Sequence, residues 1–464
     1  MNPKELVEGK VMKHLRKTLL SVLLALAMLL GSFAVPAFAA ETTTPVIFLG
    51  GFGMELYLNE GTPEEKGALM GALGQDAILD ALKATALGAL RNPLAAIFSP
   101  NHLADALSSF LMNWLGLLAC NENGDSVYPL SNDSDGGYYG MVGSRPAYEF
   151  NFDWRLDPVA TARDLDVFIQ HVKSETGSDK VNLYALSFGT VIVCAYLAEC
   201  GTGDLESVFF SASAHGGLQL AEDLIQRKLA VSGKGLAPFL AEMLPANADL
   251  IRTLDKFWVF RLLECPVNLV LKYIKNRFYA KAVIPLLGQM PAAWAFVTDD
   301  AVYESAKKSL LCDTKKYAGL IQKIDGYHYG IGNRTNEILQ DAAQEIKVAL
   351  VSGYGCAPIP VGGTFLYQSD FMIATTDSSG GAICADYGKT LPAGYAQAKQ
   401  ACGHEHVSPD RAIDASTCAL PEQTWFVKGY KHQYEYGGAG LYRWFLAFDG
   451  QPTVQSSAAY PQFR

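Results

Sequence analysis

The segment YALSFGT, Tyr184 to Thr190, sets Ser187 between two small residues, Ala185 two positions before it and Gly189 two positions after. A free serine hydroxyl is a weak nucleophile. It needs a base to take its proton, a carboxylate to orient that base, and N–H donors for the developing oxyanion. The small-x-Ser-x-Gly pattern meets the first structural demand, a hydroxyl raised on a sharp strand-to-helix turn. Strand and helix cross there too closely for larger side chains. The pattern by itself is common, and a serine capping a helix would use the same hydroxyl. Its context makes it specific: the apolar run KVNLYAL precedes it as a strand, and GTVIVCAYLAEC follows it as a buried helix.

The other parts of such a site have expected places. In this architecture the chain order is serine, acid, histidine, so the base is a late histidine. His432 follows the last strand-like run, TWFVKGYKH. His328 reads as a surface loop residue, and His215, in SASAHGG, as pocket lining. Three aspartates are candidates for the acid: Asp410 in SPDRAID first, then Asp414, then Asp370 in QSDFMI. The oxyanion donors are expected to be the backbone N–H of Phe188, at the start of the helix, and that of Phe52, in the glycine-rich GGFGMEL after the first strand.

Cys402, His404 and His406, in CGHEH, have ligand chemistry, but one His-x-His with one cysteine is a weak metal signal. A Cys402–Cys418 disulfide around Asp410 is at least as good a reading, and neither a metal nor a cofactor is expected. All nine cysteines follow residue 40, and an odd count leaves one unpaired. Cys194 and Cys200 read as small buried hydrophobes.

The surrounding elements alternate strand, helix, strand: PVIFLGG, YEFNFDWRLDP, a helix over 159–176, KVNLYAL, the helix after Ser187, and SVFFSAS. That alternation predicts an α/β fold with a mostly parallel central sheet and helices on both faces. Two apolar, helical insertions interrupt it, at about 56–146 and 218–345, and are expected to form a lid or cap. The sheet resumes at IKVALVSGYG, and GAGLYRWFLAF closes the chain as a helix. Residues 1–40 read as a signal peptide, with a basic start, an uncharged stretch from Thr18 to Ala40 and an Ala-Phe-Ala end, and 41–464 as the exported domain. An uncleaved anchor is the alternative.

The chain has 464 residues, 50% of them hydrophobic, enough for a large core, and a formal net charge of −10. Residues 1–39 carry five Lys/Arg against two Asp/Glu, so the remainder is more acidic still. That balance argues against nucleic acid as a partner. The apolar insertions make a lipid or other acyl ester, met at a membrane surface, a more natural substrate than a peptide. A serine peptidase and a non-catalytic binding protein on the same scaffold are the alternatives.

Taken in order, PVIFLGGFGMEL, YEFNFDWRLDP, DKVNLYALSFGT, VFFSASAHGG and SPDRAID…TWFVKGYKH resemble the lecithin:cholesterol acyltransferase-like family of α/β-hydrolases. The resemblance covers the sheet from Pro45 to about His215 and from about Lys347 to His432. It implies an α/β-hydrolase fold and acyl transfer or hydrolysis on lipid esters. It implies Ser187 as nucleophile, Asp410 as acid, His432 as base, and Phe52 and Phe188 as oxyanion donors. The family's elbow, G-H-S-M-G, is Ala-Leu-Ser-Phe-Gly here, which sets the apolar Leu186 and Phe188 beside the reacting carbon.

Overall fold

The computed structural model describes residues 44–464 apart from 61, 63, 69–99, 132–135, 364, 401 and 433–438. The proposed signal peptide, and the helix read over part of the first insertion, lie outside the described residues. Seven strands form the central sheet: β1 Val46–Leu49, β2 Gly137–Val142, β3 Arg145–Phe150, β4 Val181–Leu186, β5 Leu205–Ser211, β6 Lys347–Tyr354 and β7 Thr424–Lys428. Their order across the sheet is β7-β6-β5-β4-β1-β3-β2. Every neighbouring pair is parallel except β2 with β3. The protein is thus an α/β fold with a mostly parallel sheet. Its central strands are near-continuous runs of buried residues, as strands covered on both faces must be.

Five helices matter for the site: α1 Pro100–Leu115, α2 Pro158–Thr176, α3 Gly189–Cys200, α4 Val259–Phe278 and α5 Ala439–Ala447. Helix α2 has both ends written into its sequence. The Asp157 side chain accepts from the Val159 N–H, Pro158 opens the first turn, and Gly177 closes the helix in the left-handed conformation. It buries Leu165, Ile169 and Val172, while Val167 is exposed. Helix α3 is apolar all round and enclosed from Gly189 to Leu197. Cys194 is buried within it, whereas Cys200, at its end, is exposed.

Two local readings change. The glycine-rich stretch before Arg145 reads as an exposed loop but forms β2, the antiparallel edge strand. Its glycines Gly137 and Gly140 sit at φ 142° and 149°, and the pairing with β3 shifts register between Tyr138 and Gly140. The run read as a strand up to Pro158 leaves the sheet after Phe150. There Asp153 bonds the Arg155 backbone N–H and guanidinium. That guanidinium, fully buried, also donates to Leu117 O and Ser126 Oγ. Trp154 Nε1 donates to Met54 O at 2.8 Å. The Asp153-Trp154-Arg155 stretch therefore ties the loop after β1 to the first insertion.

Between β5 and β6 the chain is built of helices. Arg277, from α4, makes a two-pronged bond to Asp105 of α1 at 2.6 and 2.7 Å, and Lys281 joins it at 2.8 Å. The two insertions are pinned together by this cluster. Phe257, Trp258, Leu262, Leu269 and Tyr273 form an exposed apolar run at and along α4. Among the described residues, no helix is long and apolar enough to cross a membrane.

Candidate active site

Ser187 stands between β4 and α3 at φ 54°, a left-handed conformation rare for a residue with a side chain. Its N–H donates to Ser211 O at 3.1 Å. Its carbonyl accepts from Thr190, from the backbone N–H at 3.0 Å and from Oγ1 at 2.6 Å. The turn is tight for a reason visible at Gly189. A Cβ there would come within 2.8 Å of the Leu49 and Gly50 carbonyl oxygens. The smallness that the motif demands two residues after the serine is thus a backbone contact between α3 and the end of β1.

The loop after β1 lies directly against the serine. A Cβ on Gly51 would meet Ser187 Cβ at 2.8 Å. Phe52 follows it, and Phe188 is the residue preceding α3. Among the described residues, neither the Phe52 nor the Phe188 N–H has a hydrogen-bond acceptor. Their rings pack edge to face at 6.1 Å, and both meet Phe296, at 5.5 and 5.4 Å. Phe188 is fully buried and its ring is part of the main hydrophobic core.

His432 is brought to Ser187 across the sheet. Its Nε2 lies 2.8 Å from Ser187 Oγ, and its Nδ1 lies 2.8 Å from Asp370 Oδ2. The His432 backbone N–H also donates to Asp370 O at 2.8 Å, so main chain and ring are fixed by one residue. Asp370 is fully buried, and its other oxygen accepts from the Met372 and Ile373 N–H groups at 3.0 and 2.7 Å. A carboxylate on Nδ1 holds the proton there and leaves the Nε2 lone pair facing the hydroxyl. Ser187 Oγ, His432 and Asp370 thus form one hydrogen-bonded line that can take the serine's proton as it attacks.

The carboxylate on His432 is therefore Asp370, and the assignment to Asp410 is corrected. Asp410 Oδ2 pairs with Lys428 Nζ at 2.9 Å, and its Oδ1 accepts from Ser408 Oγ and the Ala412 N–H. Asp414 is committed to Tyr395 and to the Ala398 and Ser416 N–H groups. Both aspartates brace the 395–416 region instead. The structure shows what admits Asp370. Gly353, near the end of β6, has no room for a Cβ, which would fall 2.6 Å from both Asp370 Cβ and Tyr430 O. A glycine inside a strand often marks a close approach, here of the two segments carrying Asp370 and His432.

His215 is not pocket lining. It is buried, with Nδ1 2.6 Å from Ser213 Oγ, and burial pushes its pKa down to about 4. His328 is likewise buried, stacked on Tyr303 and bonded to Asp300. The expected Cys402–Cys418 disulfide is absent. Cys418 is buried beside Ile413 and Phe426, while Cys402 turns its sulfur onto His406.

No family model and no curated protein matches the chain. Among solved structures it is similar to one described as "The crystal structure of Tle4-Tli4 complex". The identity is 12%, over 87% of this chain and 98% of that chain, with a TM-score of 0.37. The likeness to the lecithin:cholesterol acyltransferase-like family thus rests on the motifs quoted above.

The insertions reach the site through the acid's loop. Phe239, in the helix Gly233–Met243, stacks on Phe371 at 5.0 Å, next to Asp370. Glu242, from the same helix, accepts from the Ala357 N–H and the Tyr387 hydroxyl. The second insertion thereby lies over the segment that carries Asp370, and the Lys431 ammonium sits above the Phe371 ring.

Proposed function

We propose that the protein is an exported serine acyl hydrolase or acyltransferase acting on lipid esters, related in mechanism to the lecithin:cholesterol acyltransferase-like enzymes. The observation that carries this reading is the line Ser187 Oγ–His432–Asp370, with both contacts at 2.8 Å. Ser187 Oγ attacks the ester carbonyl as its proton passes to His432 Nε2. Asp370 holds the imidazole in register and stabilises the imidazolium. The oxyanion is received by the Phe52 and Phe188 N–H groups, at a helix start where the backbone dipole favours negative charge. His432 then protonates the leaving alcohol, and water or a second alcohol takes the acyl group from the serine.

The lipid assignment is supported by the insertions. The exposed apolar run at and along α4 suits contact with an aggregated substrate, and the aromatic packing around Asp370 keeps water from the relay. The hydrogen-bonded relay favours catalysis over a purely binding role. Export through residues 1–40 belongs to the same proposal.

A fluorophosphonate probe tests it. Wild type should label on Ser187, and Ser187→Ala should not, with acyl-ester turnover falling roughly 10³- to 10⁶-fold. Equal labelling of the two proteins would overturn the proposal. Preferential turnover of peptide amides would select the peptidase instead.

A further inference from the structure

A second cluster stands at the opposite end of β7 from His432. Cys402, His404, His406 and Glu422 each turn one ligand-type atom toward a common point, and these atoms all lie within 4.8 Å of one another. Cys402 Sγ is 2.7 Å from His406 Nε2 and 3.9 Å from His404 Nε2. Both imidazole Nε2 atoms are 3.1 Å from the same oxygen, Glu422 Oε1. That oxygen is buried and accepts no hydrogen bond of acceptable geometry. Ligand atoms held at about 2.0–2.3 Å from a tetrahedral ion stand roughly 3.3–3.7 Å apart, which is the scale of these separations.

The tautomer of His406 is set from behind. Gln462 donates its amide to the Pro421 and Thr424 carbonyls, at 2.8 and 3.1 Å, so its Oε1 must be the atom facing His406 Nδ1 at 2.7 Å. Nδ1 therefore carries the proton, and Nε2 of the neutral ring offers a lone pair. The Cys402 S–H can donate to that lone pair at 2.7 Å, but the buried Glu422 Oε1 is then left without a donor of acceptable geometry. One divalent cation satisfies all four atoms. A thiolate and a carboxylate cancel its charge, so the half-buried site carries no net charge.

We infer that Cys402, His404, His406 and Glu422 bind a borderline-soft divalent transition ion, zinc first. The softness of sulfur and imidazole excludes magnesium and calcium. On binding, the Cys402 S–H bond is broken, its proton leaves to solvent, and the thiolate sulfur bonds the metal. Four protein ligands leave no open position, so the role is structural. The ion fastens the 402–406 loop to the residues that open β7, the strand that ends in the segment bearing His432.

The test uses the full chain, purified reduced, stripped with chelator and titrated with cobalt(II), then with zinc. One cobalt per chain is expected, with a thiolate-to-cobalt charge-transfer band. Cys402→Ser should abolish that band, while Cys384→Ser and Ser187→Ala keep it. Gln462→Leu should weaken zinc binding roughly 10- to 100-fold, the usual effect of losing a group that orients a ligand. Chelator should lower the wild-type melting temperature, and zinc should restore it. Wild type that binds no stoichiometric cobalt overturns the proposal. So does a charge-transfer band that survives in Cys402→Ser. Far-ultraviolet circular dichroism run alongside reports whether each variant is folded, and fluorophosphonate labelling of the variants that keep Ser187 reads the serine site independently of the metal.

Discussion

Asp370 and Asp410 occupy turns of the same local kind. In each, one carboxylate oxygen accepts a backbone N–H two residues ahead, Met372 for Asp370 and Ala412 for Asp410, as aspartates in turns commonly do. They differ in what the second oxygen meets. Asp370 is fully buried and meets His432 Nδ1, whereas Asp410 has a 28% exposed side chain and meets Lys428 Nζ. The local sequence builds the turn in both cases. The partner is chosen by the sheet: Gly353 lets the Asp370 loop and the Tyr430 segment close on one another, and no equivalent approach brings Asp410 to the base. A motif can therefore identify an aspartate as a turn residue without saying whether it orients a histidine.

The contrast can be broken by substitution. Asp370→Asn keeps the shape but no longer fixes the Nδ1 proton, so kcat should fall about 10⁴-fold with little change in KM. Steady-state ester kinetics measures this. A small loss at Asp370 with a large one at Asp410 would reverse the assignment.

Gly353→Val should act on geometry alone. It drives a side chain into Asp370 Cβ and the Tyr430 carbonyl, and a displacement of about 1 Å at the relay costs roughly 10²-fold in rate. Fluorophosphonate labelling should slow in parallel while far-ultraviolet circular dichroism keeps the wild-type signature.

Asp410→Asn should be the mildest. Activity stays near wild type, and stability drops by about 1 kcal/mol or less, the range for a partly exposed ion pair. Burial pushes the Asp410 carboxyl up. Lys428, Ser408 and the Ala412 N–H outweigh that and hold it below the usual carboxylate range. A depressed folded pKa favours the fold above the unfolded value and is lost as pH falls through the folded one. Asp410→Asn should therefore flatten the stability profile only below about pH 4, in denaturant titrations run at several pH values.

The serine and the histidine were legible because each sits on a local pattern. Ser187 follows an apolar strand and precedes an apolar helix, and His432 comes just past the last strand-like run. The α/β architecture was legible for the same reason, since VIFL, VNLYAL and LESVFFS are near-continuous buried runs. Strand β2 was not, because glycines at positive φ carry a loop composition into an edge that tolerates it. Asp370 ranked third because its position 62 residues before His432 gives no periodic signal; only tertiary closure joins them. His328 failed as a surface reading because a polar side chain with internal partners can be buried without any mark in the surrounding letters. The CGHEH ligands read as weak because their fourth member, Glu422, lies beyond the motif and meets it only when β7 docks.

Ser187 holds its φ of 54° against the preference of every residue but glycine. Left-handed backbone costs a residue with a side chain about 1–2 kcal/mol. The sequence of greatest stability at this position is therefore one without a nucleophile. Under the proposed function, that strain is the standing thermodynamic cost of presenting the hydroxyl, and Ser187→Gly would relieve it together with the chemistry.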